Sequence, residues 1–412
     1  MRAPALIAIF LIVVVDVLAF TLIIPLLPFY AERFGATPAQ VGALVATFSA
    51  CQLVAGPVLG NLSDRVGRKP VLFASQLGTF AGFVVLAKAS ALWMVFLARL
   101  VDGVTAGNLT VAQAAIADVT PPEQRTRAFA IIGVSFGLGF LIGPAASAWL
   151  ATRDPVLPVW CAAGLSAVSA LLTLLLLPKP TQRMPPQRGS FRGEQSPEPD
   201  TDRRLGVFDW GAYAPFLRRP DLRGRFTQFF LFAFAFAVFT SGFALFAERR
   251  LHTGDGRPFG VREVGYALAY SGLLGVLLQG GLVGRVAARV GDARLVSVSF
   301  IVQAAGFAVL AFTRDLPSLL LSATLVAFGN APLRAGLMSL ITRRVGSGEQ
   351  GLALGLTQSL AAVAQVGAPL VAGALIGRGW LTAWALLAAG LSAAAVAWGD
   401  YAEDDAVTRT RS

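Results

Sequence analysis

The sequence predicts an all-helical membrane protein (all-α), in which twelve transmembrane helices form two pseudo-symmetric bundles of six. Three observations support this fold class: the composition, the spacing of long uncharged runs, and motifs of the first half that recur in the second. The composition is 55% hydrophobic and only 14% charged, and soluble domains carry more charge. A mean hydropathy of +0.67 is typical of a chain that lies in a bilayer.

A helix needs about 20 apolar residues to cross a bilayer. Twelve runs of about this length are bounded by charged residues, proline or glycine. The first run is too long for the hydrophobic region of a signal peptide and no small-residue cleavage site follows it, so we interpret it as a retained span. The twelve runs cover residues 5–29, 40–62, 71–89, 92–114, 128–150, 156–177, 226–247, 261–283, 295–313, 317–341, 351–375 and 380–399.

The distribution of basic residues predicts the orientation of these spans. With twelve spans both termini share one side, and most of the 34 Lys and Arg residues fall there, including ten between Lys179 and Arg225. The positive-inside rule therefore predicts that both termini are cytoplasmic. The Ala- and Arg-rich usage and short loops suggest a bacterial inner membrane. The same topology accounts for the net charge of +11, so we expect no nucleic-acid partner.

Several function classes are excluded by the residues that are absent. The two cysteines, Cys51 and Cys161, lie in apolar runs and provide neither a disulfide framework nor metal spacing. The three lysines, Lys69, Lys88 and Lys179, are followed by Pro, Ala and Pro, so no Walker A loop binds ATP. No nucleophile, base and orienting group occur together. We expect neither an enzyme nor a metal site.

A polar stretch divides the chain into two halves. Residues 178–222 are rich in Pro, Arg, Gln, Gly and Ser, a composition that cannot bury enough apolar surface to fold alone. We predict a first bundle over residues 1–177, a cytoplasmic linker over 178–222, a second bundle over 223–400 and a cytoplasmic tail over 401–412.

The two halves share short motifs at a nearly constant offset. Val66-Gly67-Arg68 recurs in the second half as Val290-Gly291-Asp292, and Glu123-Gln124-Arg125 recurs as Glu349-Gln350-Gly351. Their order and spacing predict a duplicated six-span unit.

The segment between spans two and three carries the most specific motif. Residues 60–70 read Gly-Asn-Leu-Ser-Asp-Arg-Val-Gly-Arg-Lys-Pro, which resembles the signature loop of the major facilitator superfamily. The resemblance implies the major facilitator fold, transport by alternating access, and a cytoplasmic gate. The second copy has Ala288 where the aspartate would stand, so we expect an asymmetric gate. The gate residues would be Gly60, Asp64, Arg65, Gly67, Arg68 and Lys69.

Asp16 lies in the middle of the first span, where a charge costs a few kcal/mol. A buried carboxyl group suits a site that gains and loses protons; the alternative is a structural Asp that is hydrogen-bonded to a neighbouring helix. Residues 16–28 resemble the first span of twelve-span drug:proton antiporters, tetracycline efflux proteins included. This resemblance favours proton coupling.

At a helical spacing of 100° per residue, span four carries a polar stripe on one face, which must face protein or water and not lipid. Residues 97–103 resemble the family's span-four motif, whose arginine is tied to proton relay. Arg99 would tune a carboxylate, either Asp16 or Asp102, because a guanidinium does not release its proton. The alternative is that Asp102 simply neutralises Arg99. The stripe consists of Arg99, Asp102, Ala106, Thr110 and Gln113.

Span five places glycine at every fourth position, which provides a flat face for close helix packing. The sequence around Gly139, Gly143 and Pro144 resembles the antiporter motif that separates exporters from importers. Ser147 and Ala148 replace its closing glycines.

Polar and aromatic residues at membrane depth are candidates for a substrate cavity, although hydrogen bonds between helices are an equally good account of each one. Three residues that the resemblance would assign to tetracycline binding are absent. Gly82 stands where the resemblance expects an aspartate, Gly275 where it expects a histidine, and Gln303 where it expects a second aspartate. Whether tetracycline is transported stays open. The candidates are Phe20, Gln113, Tyr266, Tyr270, Gln279, Gln303, Asn330, Arg334, Gln358 and Gln365.

The sequence thus predicts a proton-coupled antiporter that exports a small drug-like or amphipathic compound, uses no cofactor and functions as a monomer. Its partners would be a small-molecule substrate, protons and the lipid bilayer. An importer, a metabolite exporter or a lipid flippase on the same fold is the alternative, and a non-transporting membrane sensor is a more distant one.

Overall fold

The computed structural model describes residues 3–120, 125–177, 210–279, 283–346 and 349–409. These residues form sixteen α-helices. In chain order they are α1 (Ala3–Ile23), α2 (Leu27–Glu32), α3 (Pro38–Val66), α4 (Arg68–Ala87), α5 (Leu92–Val104), α6 (Asn108–Val119), α7 (Arg125–Ala151), α8 (Leu157–Leu176), α9 (Trp210–Arg218), α10 (Pro220–Arg250), α11 (Val261–Leu277), α12 (Val283–Val290), α13 (Asp292–Phe312), α14 (Leu316–Thr342), α15 (Gln350–Gly377) and α16 (Leu381–Arg409).

Eleven segments of the described chain are long and apolar enough to cross a membrane. One of them combines α5 and α6, which are separated by a break at residues 105–107. The predicted eighth span, residues 261–283, corresponds to α11, a helix of 17 residues; residues 280–282 lie outside the described chain. The arrangement therefore fits the predicted twelve spans, with eleven recognised by length and composition.

The boundaries of the two halves differ in detail from the sequence prediction. Most of the predicted linker, residues 178–209, lies outside the described chain, but α9 and the first turn of α10 fall within the predicted 178–222 stretch. Pro220 begins α10, because proline is well suited to the first turn of a helix. At the other end α16 continues to Arg409, so the helix includes most of the predicted tail.

The duplicated motif adopts the same backbone conformation in both halves. Gly67 joins α3 to α4 with φ of 107°, and Gly291 joins α12 to α13 with φ of 84°. These positive angles favour glycine, because a Cβ would clash with the backbone. The recurrence predicted from sequence therefore corresponds to a recurring helix–glycine–helix junction.

The two bundles share one buried core at only one end of the molecule. We call the end where α8 finishes and α9 begins the linker side, and the opposite end the far side. On the far side a single apolar cluster includes Val41 and Leu44 from α3 together with Ala368 and Ala372 from α15. On the linker side the core separates into one cluster within the first bundle and another within the second.

Glycines allow the two bundles to approach closely on the far side. Gly42 of α3 lies directly against the Pro369 carbonyl of α15, and Gly265 of α11 against the Pro144 carbonyl of α7. Towards the linker side this contact ends, since Gly133 of α7 has nothing within 4 Å of where its Cβ would be. The described bundles are therefore closed against each other on the far side and diverge towards the linker side.

Candidate functional site

Asp16 belongs to a polar cluster that joins four helices of the first bundle. Its Oδ2 accepts a hydrogen bond of 3.3 Å from Nε2 of Gln76 in α4, which also donates to Oγ of Ser169 in α8 at 2.8 Å. The side chain of Asn108, the first residue of α6, also interacts with the carboxyl group. We call Asp16, Gln76, Asn108 and Ser169 the Asp16 cluster. Asp16 itself is half-buried, whereas Gln76 and Ser169 are fully buried.

The two amides of the Asp16 cluster have unused acceptor atoms. Oε1 of Gln76 and Oδ1 of Asn108 are buried without a hydrogen-bond partner among the described residues. An amide can donate its N–H to a carboxylate, and after rotation about its last torsion it can accept a hydrogen bond from a carboxylic acid. The cluster can therefore accommodate Asp16 with or without a proton.

Arg99 and Asp102 form a separate buried ion pair in α5. Their Nη2 and Oδ2 atoms are 3.3 Å apart, and both residues are 3% exposed. The guanidinium also lies over the rings of Phe48 and Phe83, with centroid distances of 5.6 and 5.7 Å. Of the two carboxylates that Arg99 was predicted to tune, the structure therefore places Asp102 against it. The alternative interpretation, in which Asp102 neutralises Arg99, fits this geometry.

The predicted polar stripe on span four is interrupted. The helix breaks at residues 105–107, so Arg99 and Asp102 belong to α5 and Gln113 to α6. The stripe was derived for one straight helix, and that assumption was wrong. The break has a consequence for the site, because Asn108 begins a new helix and its side chain reaches Asp16.

The signature loop is an ion-pair network within the first bundle. Arg68 binds Asp64 at 2.6 Å and Asp118 at 2.8 Å, and donates to Oγ of Ser63 at 2.6 Å. Lys69 donates to the carbonyl groups of two residues at the end of α8, which stabilises the negative end of that helix dipole. Gly60 packs close to Thr110, and Arg65 is exposed on the linker side.

The second bundle contains the same ion pair with its charges exchanged. Asp292, the counterpart of Arg68 in the repeat, begins α13 and binds Arg343 at 3.1 Å. Arg343 follows Asp118 at nearly the same separation along the chain as Asp292 follows Arg68. Oγ of Ser339 also donates to Asp292 at 2.7 Å. The comparison of sequences detected the missing counterpart of Asp64 at Ala288 but missed this exchanged pair.

The antiporter-like motif of α7 packs directly beside Asp16. Gly139 contacts Val17, and Gly143 contacts Thr21, whose Oγ1 donates to the Gly139 carbonyl at 2.9 Å. Pro144 of the same helix faces α11 of the second bundle. One helix therefore links the Asp16 region to the contact between bundles.

The predicted cavity residues fall into two groups. Gln303 is fully buried, interacts with Ser392 at 3.2 Å and lies 3.5 Å from Oδ1 of Asn330, so it connects helices and is closed to solutes in this conformation. The Tyr270 hydroxyl likewise bonds Thr324 at 2.8 Å. In contrast, Gln113 and Asn330 are half-buried, and the exposed candidates are Phe20, Tyr266, Gln279, Arg334, Gln358 and Gln365.

The exposure of residues along one face of α15 shows where the bundles are apart and where they are in contact. Gln358, Gln365 and Ala372 are separated by seven residues each and share a helix face. Both glutamines are exposed, whereas Ala372 is 1% exposed and belongs to the apolar cluster that both bundles share. The polar part of this face is therefore open from the linker-side end of the helix to about its middle.

A comparison with protein families decides what this arrangement is. The family model described as Major Facilitator Superfamily matches residues 9–287, which is more than half of the chain. The chain belongs to the Major Facilitator Superfamily. Members are membrane transporters, so this superfamily protein is an integral membrane transporter of small molecules and not an enzyme.

Relatives of this superfamily member are similar over most of their length. The class B tetracycline resistance protein of Escherichia coli is 31% identical over 365 residues, which cover 87% of this chain and 85% of that protein. Major facilitator superfamily domain-containing protein 10 of Mus musculus is 26% identical over 411 residues, 91% of this chain and 87% of the relative.

A solved structure supports the fold. The crystal structure of the human organic anion transporter MFSD10 (TETRAN) superimposes with a TM-score of 0.69 at 24% identity, over 96% of this chain and 99% of that one. At this identity the likeness concerns the fold alone.

Proposed function

We propose that this transporter exports a small drug-like or amphipathic compound in exchange for protons. The proton gradient would supply the energy without a bound cofactor. In this proposal the protein is a monomer in a bacterial inner membrane, with both termini in the cytoplasm. The Asp16 cluster is the observation that carries the proposal.

Asp16 is better suited to proton exchange than Asp102, which also lies deep in a span of the first bundle. Asp102 is paired with Arg99, so a proton on Asp102 would leave a buried guanidinium without its counter-ion. Asp16 has no ion pair with a basic residue in the described chain, and its partners are amides and a hydroxyl group. A proton on Asp16 therefore changes the charge of the site without leaving another charge unpaired.

The separation of the bundles supports alternating access. They meet through Gly42 and Gly265 on the far side and through Gly272 near the middle of the membrane, and they diverge on the linker side. If the linker side is cytoplasmic, a compound would enter from the cytoplasm in this conformation, and rocking about the shared contacts would open the far side.

Two observations support export as the direction. Relatives that are about 30% identical over most of the chain are named tetracycline resistance proteins. The exporter-like motif at Gly139, Gly143 and Pro144 also packs α7 onto the helix that carries Asp16. These features favour removal of a compound from the cytoplasm.

The proposal is tested by flux in everted membrane vesicles under an imposed pH gradient. We expect the wild-type chain to accumulate its substrate in everted vesicles, with protons moving the opposite way. Asp16→Asn should insert and fold normally but lose this coupling, because an amide cannot take up the proton. Asp255→Asn, in an exposed far-side loop, is the matched control and should transport normally.

Two outcomes would contradict the proposal. Undiminished coupled transport in Asp16→Asn would remove Asp16 from the mechanism. Accumulation in right-side-out vesicles alone would show that the protein is an importer.

A further inference from the structure

Arg334 is a cation without an ionic partner among the described residues of the second bundle. It lies in α14 eight residues before the helix ends at Thr342, which places its Cα about 12 Å from the linker-side end of that helix. The whole helix of 27 residues is about 40 Å long, against a hydrocarbon core of about 30 Å. Arg334 therefore lies within the depth of the membrane.

Arg334 lies at the edge of the contact between α14 and the end of α11. Ala327 and Ala331 pack against Leu278 of α11, and Arg334 shares their face, being seven and three residues further along. Its side chain is exposed although it lies within the depth of the membrane. Charged side chains at membrane depth face the interior of the bundle or a water-filled cavity and not lipid, and an exposed side chain fits the cavity.

Several other arginines of the described chain have an acidic partner, which Arg334 lacks. Arg99 is paired with Asp102, Arg343 with Asp292, and Arg219 with Asp221. Arg334, in contrast, makes no ion pair within 4.0 Å with any described residue. Its charge is therefore available to a ligand.

The chemistry of a guanidinium limits what this ligand can be. A charge at membrane depth costs several kcal/mol unless water or a counter-ion stabilises it, and arginine does not escape this cost by releasing its proton. Its planar fork of donors matches carboxylate, sulfonate and phosphate groups. An open site that keeps such a group unpaired is suited to an anion.

We propose that Arg334 binds the anionic group of the transported compound, and hence that the substrate class is an amphiphilic organic anion. This inference rests on the proposed function, because it requires the space between the bundles to be the substrate's path. The exposed ring of Phe20, stacked on Phe48 at 5.9 Å, provides apolar surface in the first bundle. Gln358 and Gln365 add neutral hydrogen-bonding groups on α15.

The test compares two ligands that differ in charge alone. 8-Anilinonaphthalene-1-sulfonate carries a sulfonate, and the corresponding sulfonamide has the same rings and nearly the same shape but no charge. Binding of each to the purified full-length protein in a neutral detergent is measured by calorimetry, with the heat of mixing into detergent alone subtracted. We expect the wild-type protein to bind the sulfonate about tenfold more tightly, which is the lower range for a charge-assisted hydrogen bond.

Three variants assign this preference to Arg334. Arg334→Gln should weaken sulfonate binding about tenfold and leave sulfonamide binding unchanged, whereas Arg334→Lys should keep most of the preference. Arg314→Gln, an exposed arginine in the far-side loop before α14, is the matched control and should bind like wild type. An intact preference in Arg334→Gln, or an equal loss for both ligands, would overturn the inference.

A lipid headgroup could offer the same anionic chemistry, and competition separates the two sources. Soluble naphthalene-1-carboxylate should displace the bound sulfonate, and phosphatidylglycerol should not do so more effectively than zwitterionic phosphatidylcholine. Displacement by phosphatidylglycerol but not by the soluble carboxylate would replace the solute with a lipid and overturn the inference.

The binding assay also distinguishes this inference from the proposed function. It uses no gradient, so wild-type protein that selects the sulfonate but shows no proton-coupled flux would contradict proton coupling alone. Proton-driven export of the neutral sulfonamide that is unaffected by Arg334→Gln would contradict the anion site alone.

Discussion

At the scale of single residues, the first bundle places the carboxyl groups of Asp16 and Asp102 deep in the membrane in contrasting surroundings. Asp102 faces a guanidinium within 3.3 Å, and both are almost completely buried. Asp16 faces neutral amides and remains half-buried. A paired carboxylate is suited to holding structure, whereas an unpaired one beside adaptable amides is suited to proton exchange.

This contrast predicts a specific pattern of stability. Asp102→Asn should destabilise the fold by about 3–5 kcal/mol, because it leaves the charge of Arg99 buried and unpaired. The double variant Arg99→Gln/Asp102→Asn should recover much of this loss, because neither charge remains. Thermal unfolding of the purified protein in detergent measures both effects. If the double variant were less stable than Asp102→Asn, the pair would not be held together chiefly by its charges.

At the scale of helices, glycines set how closely the two bundles approach. Gly265 on α11 would place a Cβ 2.6 Å from the Pro144 carbonyl oxygen and 2.8 Å from Ala148 of α7. Such distances are shorter than van der Waals contact, so any larger residue must push the helices apart. Gly133, on the linker half of α7, has no such neighbour.

We therefore expect Gly265→Val to open the far side. The measurement is labelling of a cysteine placed at Gln365, with Cys51 and Cys161 replaced, by a maleimide that cannot cross the membrane and is added from the far side. Labelling should be slow in the parent protein and several-fold faster with Gly265→Val. Gly133→Val serves as the control and should leave the rate unchanged. Equal rates in all three proteins would show that this contact does not close the far side.

At the scale of the whole molecule, the two bundles repeat an ion pair with opposite polarity. Arg68 and Asp292 begin equivalent helices after glycines of positive φ, and each binds a residue of opposite charge near the linker side. Exchange of the charges preserves the attraction within each bundle. It also gives the two bundles different charge patterns on the side where they diverge.

Exchanging the charges of Asp292 and Arg343 tests whether the stability depends on which residue of the pair is the acid, or only on their attraction. Asp292→Arg should lower the thermal stability slightly, by up to about 1 kcal/mol, because it opposes Arg343, whose side chain is 74% exposed. Asp292→Arg/Arg343→Asp should restore stability, because the pair is re-formed with the polarity of the first bundle. Failure of the double variant to recover would mean that other contacts of Asp292, such as Ser339, dominate.

The sequence by itself determined the helical membrane architecture, the repeat, the family and the residues that carry charge into the bilayer. These features are local or periodic: the length of an apolar run, the glycine that permits a positive φ, and the high cost of Asp16 or Arg334 in lipid are all visible along the chain. The residues of the signature motif at 60–70 were also identified from the sequence, because the motif is a continuous local pattern.

Only the tertiary structure decided which partner each polar group has. Gln76 and Ser169 were not singled out from the sequence, and they meet Asp16 only because α4 and α8 pack on α1. Gln303 looked like a cavity residue, yet helix packing encloses it. Contacts between distant segments depend on packing and on helix breaks such as residues 105–107, and hydrophobic periodicity contains no information about these. Arg334 was identified from the sequence as a charge at membrane depth. Only the packing of distant segments showed that it has no ionic partner among the described residues.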